Sequence, residues 1–87
     1  MSKLTDKIEV VFKSYDEGMN VIESLYEILN EDGVVFMGDL VDLVFPEQPY
    51  LKLGYENYGW DNLLTIKIEE YFGDNYVLTM PNLIKLK

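Results

Sequence analysis

Cysteine, histidine, arginine and alanine do not occur anywhere in the 87 residues. Without cysteine there are no disulfides, thiolate metal sites or cysteine nucleophiles. Without histidine, imidazole zinc sites and the Ser-His and Cys-His nucleophile pairs are excluded as well. All seven basic residues are lysines: Lys3, Lys7, Lys13, Lys52, Lys67, Lys85 and Lys87. Alanine and arginine use GC-rich codons, whereas Asn, Ile, Lys and Tyr use AT-rich ones, so an AT-rich genome explains this set economically. Neither GxxxxGK nor GxGxxG occurs, so no glycine-rich phosphate cradle is encoded. No apolar run approaches the ~18 residues of a membrane span; "VVFM" (34 to 37) is typical of the longest. The N-terminal "MSKLTDKIEV" mixes charges into its apolar positions and lacks a signal-peptide core. A reducing, cytoplasmic setting is expected.

What is present suffices for one small domain. Hydrophobic residues at 48% and aromatic residues at 14% support a true core rather than disorder. A chain this short buries roughly 60–65% of the surface it exposes when unfolded, so stability is modest. The net charge is −9 and uneven. Between Lys13 and Lys52 stand nine acids and no base: Asp16, Glu17, Glu23, Glu27, Glu31, Asp32, Asp39, Asp42 and Glu47. The flanking segments nearly balance. Such a field repels nucleic acid, whose binding depends on neutralising phosphates with cations. It steers instead toward a basic protein surface, although an acidic surface also serves solubility alone.

Period-2 alternation of Ile8, Val10 and Phe12 against Glu9, Val11 and Lys13 predicts a half-buried strand over 7–14. Ser14 with Glu17 three residues on forms a capping box, and Gly33 is a natural stop, so a helix is expected over 15–31. Its core stripe is Met19, Ile22, Leu25, Tyr26 and Leu29. The opposite stripe is Asp16, Asn20, Glu23, Glu27 and Glu31. Val34 to Met37 reads as a short strand, and Asp39 to Phe45 as a short helix burying Leu40, Leu43 and Val44 before Pro46. Residues 46–59, with two prolines and two glycines, read as a long irregular connection of the kind that is often functional or mobile. Residues 63–72 and 75–80 flank Gly73-Asp74 and predict a β-hairpin. "NLIKLK" either adds an edge strand or trails off. The fold class expected is α+β, a single domain over 1–87 in the order β-α-β-α-β-β. One long amphipathic helix packs on an antiparallel sheet that ends in a C-terminal β-hairpin.

The stretch "YENYGWDNLL" (55 to 64) holds the only tryptophan. Trp60 is either a plug that anchors the domain or part of a binding surface. The bend at Gly59 just before a strand favours the plug. Tyr50, Tyr55 and Tyr58 are less tied to the core and suit a contact surface.

One layout resembles a known group. Gly33 leads a strand into the helix containing Asp39, Leu40, Asp42 and Leu43. Gly59, Trp60 and Leu63 form a Gly-Trp-x-x-Leu turn, and the hairpin ends at Leu78 and Pro81. In order and spacing this resembles a family of small, uncharacterised bacteriophage proteins, over roughly residues 33 to 81. Phe45-Pro46 stands where that family has a Gly-led turn, and the basic residues common in its hairpin are mostly missing here. The resemblance implies phage origin, this fold and residence in the host cytoplasm rather than a particular activity.

No calcium loop is encoded: around "NEDG" (30 to 33) the acids never fall at the required positions. Asp39 and Asp42, three apart on a helix, read as a solvated face rather than a catalytic pair. No catalytic residue, cofactor or metal is expected. Two functions lead. One is a phage accessory protein that binds and inhibits or redirects a host protein with a basic surface, such as a defence or nucleic-acid-processing nuclease. It would act as a nucleic-acid mimic in the anti-CRISPR manner. The other is a self-associating structural or assembly module of the particle, a homo-oligomer. An enzyme is the least supported. The candidate partner-binding residues are Asp16, Glu23, Glu27, Glu31, Tyr50, Tyr55 and Tyr58, with no direct nucleic-acid or membrane contact expected.

Overall fold

The structure, a computed structural model, describes residues 8–86. Residues 1–7, on which the signal-peptide reading and the first residue of the expected strand fall, lie outside the described residues, as does Lys87. Strand β1 is Glu9–Phe12, followed by helix α1, Tyr15–Asp32. Strand β2, Val35–Phe36, runs directly into helix α2, Met37–Val44. A 3-10 turn at Pro49–Lys52 precedes β3, Tyr58–Trp60. The chain closes with β4, Lys67–Glu70, β5, Tyr76–Thr79, and β6, Ile84–Lys85. The architecture is α+β with the expected order, with β3 and β6 added. The strands form two antiparallel three-stranded sheets, β1-β5-β4 and β2-β3-β6, where a single sheet was expected.

Helix α1 begins and ends where its sequence says. Ser14 Oγ accepts the Glu17 N–H at 3.2 Å, satisfying one of the free donors of the first turn. Gly33 sits at φ 80°, in the left-handed region, and its N–H reaches Leu29 O at 2.8 Å, the usual way a helix ends on glycine. The helix buries Gly18, Ile22 and Leu25, with Val21, Ile28, Leu29 and Met19 packed at the margin. Tyr26, expected in the core, is 46% exposed. It lies toward the flank of the apolar arc, and its ring lies along the rim.

In α2 the buried pair is Leu40 and Val41, with Met37 and Val44 half-buried; Leu43, expected inside, is exposed. Starting the helix at Met37 rather than Asp39 adds Met37 and makes 37/40/41/44 the i, i+3, i+4, i+7 face. Residues 46–57 are a chain of short turns around one 3-10 segment, and β3 begins at Tyr58. Successive i-to-i+3 hydrogen bonds run through them, from Gln48 N to Phe45 O, Leu51 N to Gln48 O, Leu53 N to Tyr50 O, Tyr55 N to Lys52 O and Tyr58 N to Tyr55 O. The β4-β5 hairpin turns through residues 72 to 75, with Gly73 at φ 63° and no positive φ at Asp74. That is the combination of a type II′ turn.

One core joins both sheets: Val10, Ile22, Leu25, Val35, Leu40, Trp60, Leu63, Leu78, Met80 and Leu83. Trp60 is 1% exposed, and its indole N–H donates to Pro81 O at 2.7 Å. It is a plug. Gly59 beside it does not bend the chain sharply, as expected, but sits inside β3, opposite Phe36. A Cβ there would strike Val35 O and come within 2.8 Å of Phe36 Cα. Only glycine lets β2 and β3 approach this closely.

Candidate functional site: the acidic face of the long helix

α1 turns one side to the sheets and the other to water, and the sequence decides which charges go with the second side. Asp16, Asn20, Glu23, Glu27 and Glu31 are all exposed, about a half-turn from Ile22 and Leu25. Asp16 and Glu17 lie in the first turn, where the helix dipole favours acids. Glu31 and Asp32 lie in the last turn, where it does not, and no base stands there to compensate. Glu23/Glu27 and Glu27/Glu31 are like-charge neighbours four apart, each costing the helix a few tenths of a kcal/mol. Among the described residues the ion pairs are Lys52–Asp42, at 2.6 Å, and Lys67–Glu69, at 3.8 Å. Neither touches this stripe.

An apolar border accompanies the acids. Tyr26, Glu27, Leu29 and Asn30 line a shallow open groove along the helix. The Tyr26 hydroxyl donates to Leu63 O at 3.2 Å, which fixes the ring against the 61–66 connection. The next residue, Leu64, is 86% exposed. The face therefore combines a row of exposed carboxylates with a held aromatic ring. Sequence reasoning placed Tyr26 in the core and missed this border; a tyrosine at the edge of an otherwise aliphatic stripe was the available signal.

The three loop tyrosines differ in exposure. Tyr50 is exposed on the 3-10 turn, its hydroxyl donating to Gln48 Oε1 at 2.9 Å. Tyr55 and Tyr58 are half-buried against the core and packed edge-to-face on each other, centroids 6.2 Å apart. Both rings pack on the core and keep part of their surface exposed. The two carboxylates of α2 have structural work of their own. Asp39 Oδ2 accepts the Phe36 N–H at 3.0 Å and caps the helix start, and Asp42 holds Lys52. Among the described residues no group of three or more acids converges as a metal site, and no helix is long and apolar enough to cross a membrane. No family model, curated protein or solved structure matches the chain.

Proposed function

We propose that this chain is a binding protein, not an enzyme, that docks through the acidic face of α1 onto a basic surface of another protein. The observation that carries this reading is the stripe Asp16, Glu23, Glu27 and Glu31: exposed and unneutralised among the described residues, with Glu23, Glu27 and Glu31 unfavourable to the helix that bears them. The half-exposed Tyr26 ring beside Glu27 supports it, because charges chiefly speed and orient encounter while a desolvated aromatic anchor holds the complex. The bacteriophage-like layout of residues 33 to 81 is the ground for the partner class: a host protein with a nucleic-acid-binding groove, such as a defence nuclease. The stripe would occupy that groove as a nucleic-acid mimic in the host cytoplasm.

The test is capture of partners from host lysate at low and high salt by the wild-type chain and by the double variant Glu23→Lys/Glu27→Lys. A basic partner held at low salt, released at high salt and lost by the variant is expected. A variant that stays folded and keeps every interaction of the wild type reduces the stripe to a solvated surface. A self-associating assembly module is the second reading, favoured by the adjacent exposure of Tyr50 and Leu53 on the 46–57 connection. Sedimentation equilibrium of the pure chain decides it.

A further inference from the structure

The β1-β5-β4 sheet ends at β4, which has β5 on one side and no strand on the other among the described residues. The ladder determines which backbone groups that edge leaves free. Tyr71 N–H donates to Asn75 O at 2.8 Å, and bonded pairs alternate along an antiparallel ladder. Glu69 with Val77 and Lys67 with Thr79 are therefore the bonded pairs, and the N–H and C=O groups of Ile68 and Glu70 point out of the sheet edge. No turn or loop hydrogen bond among the described residues takes them up. α1 lies over the middle of this sheet, since at Gly18 it faces Ile68 of β4 and Phe12 of β1 at once. Lys67, Glu69 and Glu70 along the edge are exposed.

We propose that the β4 edge pairs with β4 of a second copy of this chain, antiparallel, about a two-fold axis at Ile68. Ile68 then bonds Ile68 of the second copy, and Glu70 N–H donates to the Ile66 carbonyl, whose own N–H is already taken by Leu63 O at 3.2 Å. Charge at a sheet edge ordinarily blocks such pairing; on β4 it selects a register. In this one, Lys67 of each copy stands directly opposite Glu69 of the other. One step either way sets Lys67 on Lys67 or Glu69 on Glu69, and like charges directly opposite are unfavourable. Within the chain the two side chains meet only at 3.8 Å and stay more than half exposed, so both keep room for the second contact. The complement is carried by the chain itself and repeated by the two-fold axis, which is why a second copy rather than a foreign strand is the occupant. The same register carries the strand ends past each other and brings Leu64 of one copy beside Tyr71 and Phe72 of the other. Leu64, 86% exposed, and Phe72, 77% exposed, are the two most exposed large apolar side chains among the described residues. The pairing joins two three-stranded sheets into one. It does not depend on the acidic stripe of α1, and an axis normal to the sheet keeps both α1 helices on the same side of it.

The experiment is sedimentation equilibrium of the full chain at about 0.15 M salt, where repulsion between two copies of net charge −9 is screened beyond about 8 Å. A dimer with Kd below about 1 mM is expected, and hydrogen exchange at the Ile68 and Glu70 amides slows as it forms. Lys67→Glu and Glu69→Lys each weaken it about tenfold, because each change is felt twice across the axis. The equimolar mixture of these two variants associates like wild type, since each supplies what the other lacks, and the double swap Lys67→Glu/Glu69→Lys also restores the dimer. Both positions are exposed, and circular dichroism checks that every variant is folded. Net charge alone would instead make Glu69→Lys associate more tightly than wild type. Glu23→Lys/Glu27→Lys leaves the dimer within about twofold, being remote from the edge. A wild-type chain still monomeric at about 1 mM, a mixture no tighter than its two components, tighter association of Glu69→Lys, or protection of Ile68 and Glu70 that appears only when another protein is added overturns the proposal.

Discussion

Replacing Trp60 by alanine is the most demanding test of how this domain holds together. The ring is 1% exposed and touches the core that both sheets share, so its removal deletes burial and opens a cavity. Such large-to-small changes cost about 3–5 kcal/mol. The whole fold, at roughly 0.05–0.15 kcal/mol per residue, is worth on the order of 4–13 kcal/mol. Trp60→Ala therefore removes a third or more of the stability in most of that range and unfolds the chain at its lower end. Trp60→Phe separates two contributions. It keeps most of the ring but strands the Pro81 carbonyl that accepted the indole N–H at 2.7 Å. Losing the partner of a buried acceptor costs about 1–3 kcal/mol. Urea titration followed by circular dichroism measures both variants, and the single tryptophan reports the wild type by its own emission. A blue-shifted native maximum that moves red on unfolding is expected. A loss below about 1 kcal/mol for Trp60→Ala with an unchanged denaturant slope, or a native maximum typical of hydrated indole, refutes the anchoring role.

Gly59→Ala should destabilise at or above the upper end of the roughly 1–3 kcal/mol seen for overpacking, because the new methyl meets backbone of β2, which no side-chain rotation relieves; thermal melts that match wild type within a few degrees contradict this. Gly18→Ala makes the contrast. The methyl meets the end of the Ile68 side chain, which can turn away. Alanine also gains about 1 kcal/mol of helix propensity over glycine, so a smaller net change than at Gly59 is expected in the same assay. Ser14→Ala should cost about 1 kcal/mol by freeing the Glu17 N–H, and Ser14→Asp should restore it; equal loss in both rules out the cap. Glu23→Lys/Glu27→Lys should shift stability by no more than about 0.5 kcal/mol, since both positions are exposed, and a larger loss in the urea midpoint means the stripe is part of the packing.

The parts of the fold legible in the sequence are those whose local chemistry and tertiary role agree. α1 carries its own cap, stop and apolar period, so its limits differ from the expected 15–31 by one residue. The parts that were not legible depend on a partner far along the chain. β3 is only Tyr-Gly-Trp, with a glycine at its centre that weakens any strand. It exists because β2 lies close enough to bond it, an approach that the missing Cβ itself permits. In α2, apolar residues at 37, 40, 41, 43 and 44 surround most of the helix, and only its packing decides that Val41 goes inside and Leu43 stays out. The 46–59 connection looked irregular because prolines and glycines break both familiar periods. Three-residue hydrogen-bond spacing leaves no such period to read.

The acidic stripe was legible for the same reason α1 was: one period assigns both what is buried and what is not. Tyr26 fell on the boundary between the two, and a polar-tipped ring at a boundary turns outward to find a hydrogen bond, here with Leu63 O. The tyrosines of 50–58 could not be sorted, since Tyr55 and Tyr58 are drawn against a core assembled from distant segments and Tyr50 is not. Val11 stands among the polar positions of β1, and only the long-range pairing with β5 sets Val77 beside it. These placements make the acidic face of α1 separable from the core. The residues that α1 buries, Gly18, Ile22 and Leu25, share no member with the acids it exposes. Val11 likewise lies on the face of its strand opposite Val10. Charge on the acidic face can thus be reversed while the packing that determines the fold stays in place, and a loss of binding in such variants reports on recognition rather than on folding.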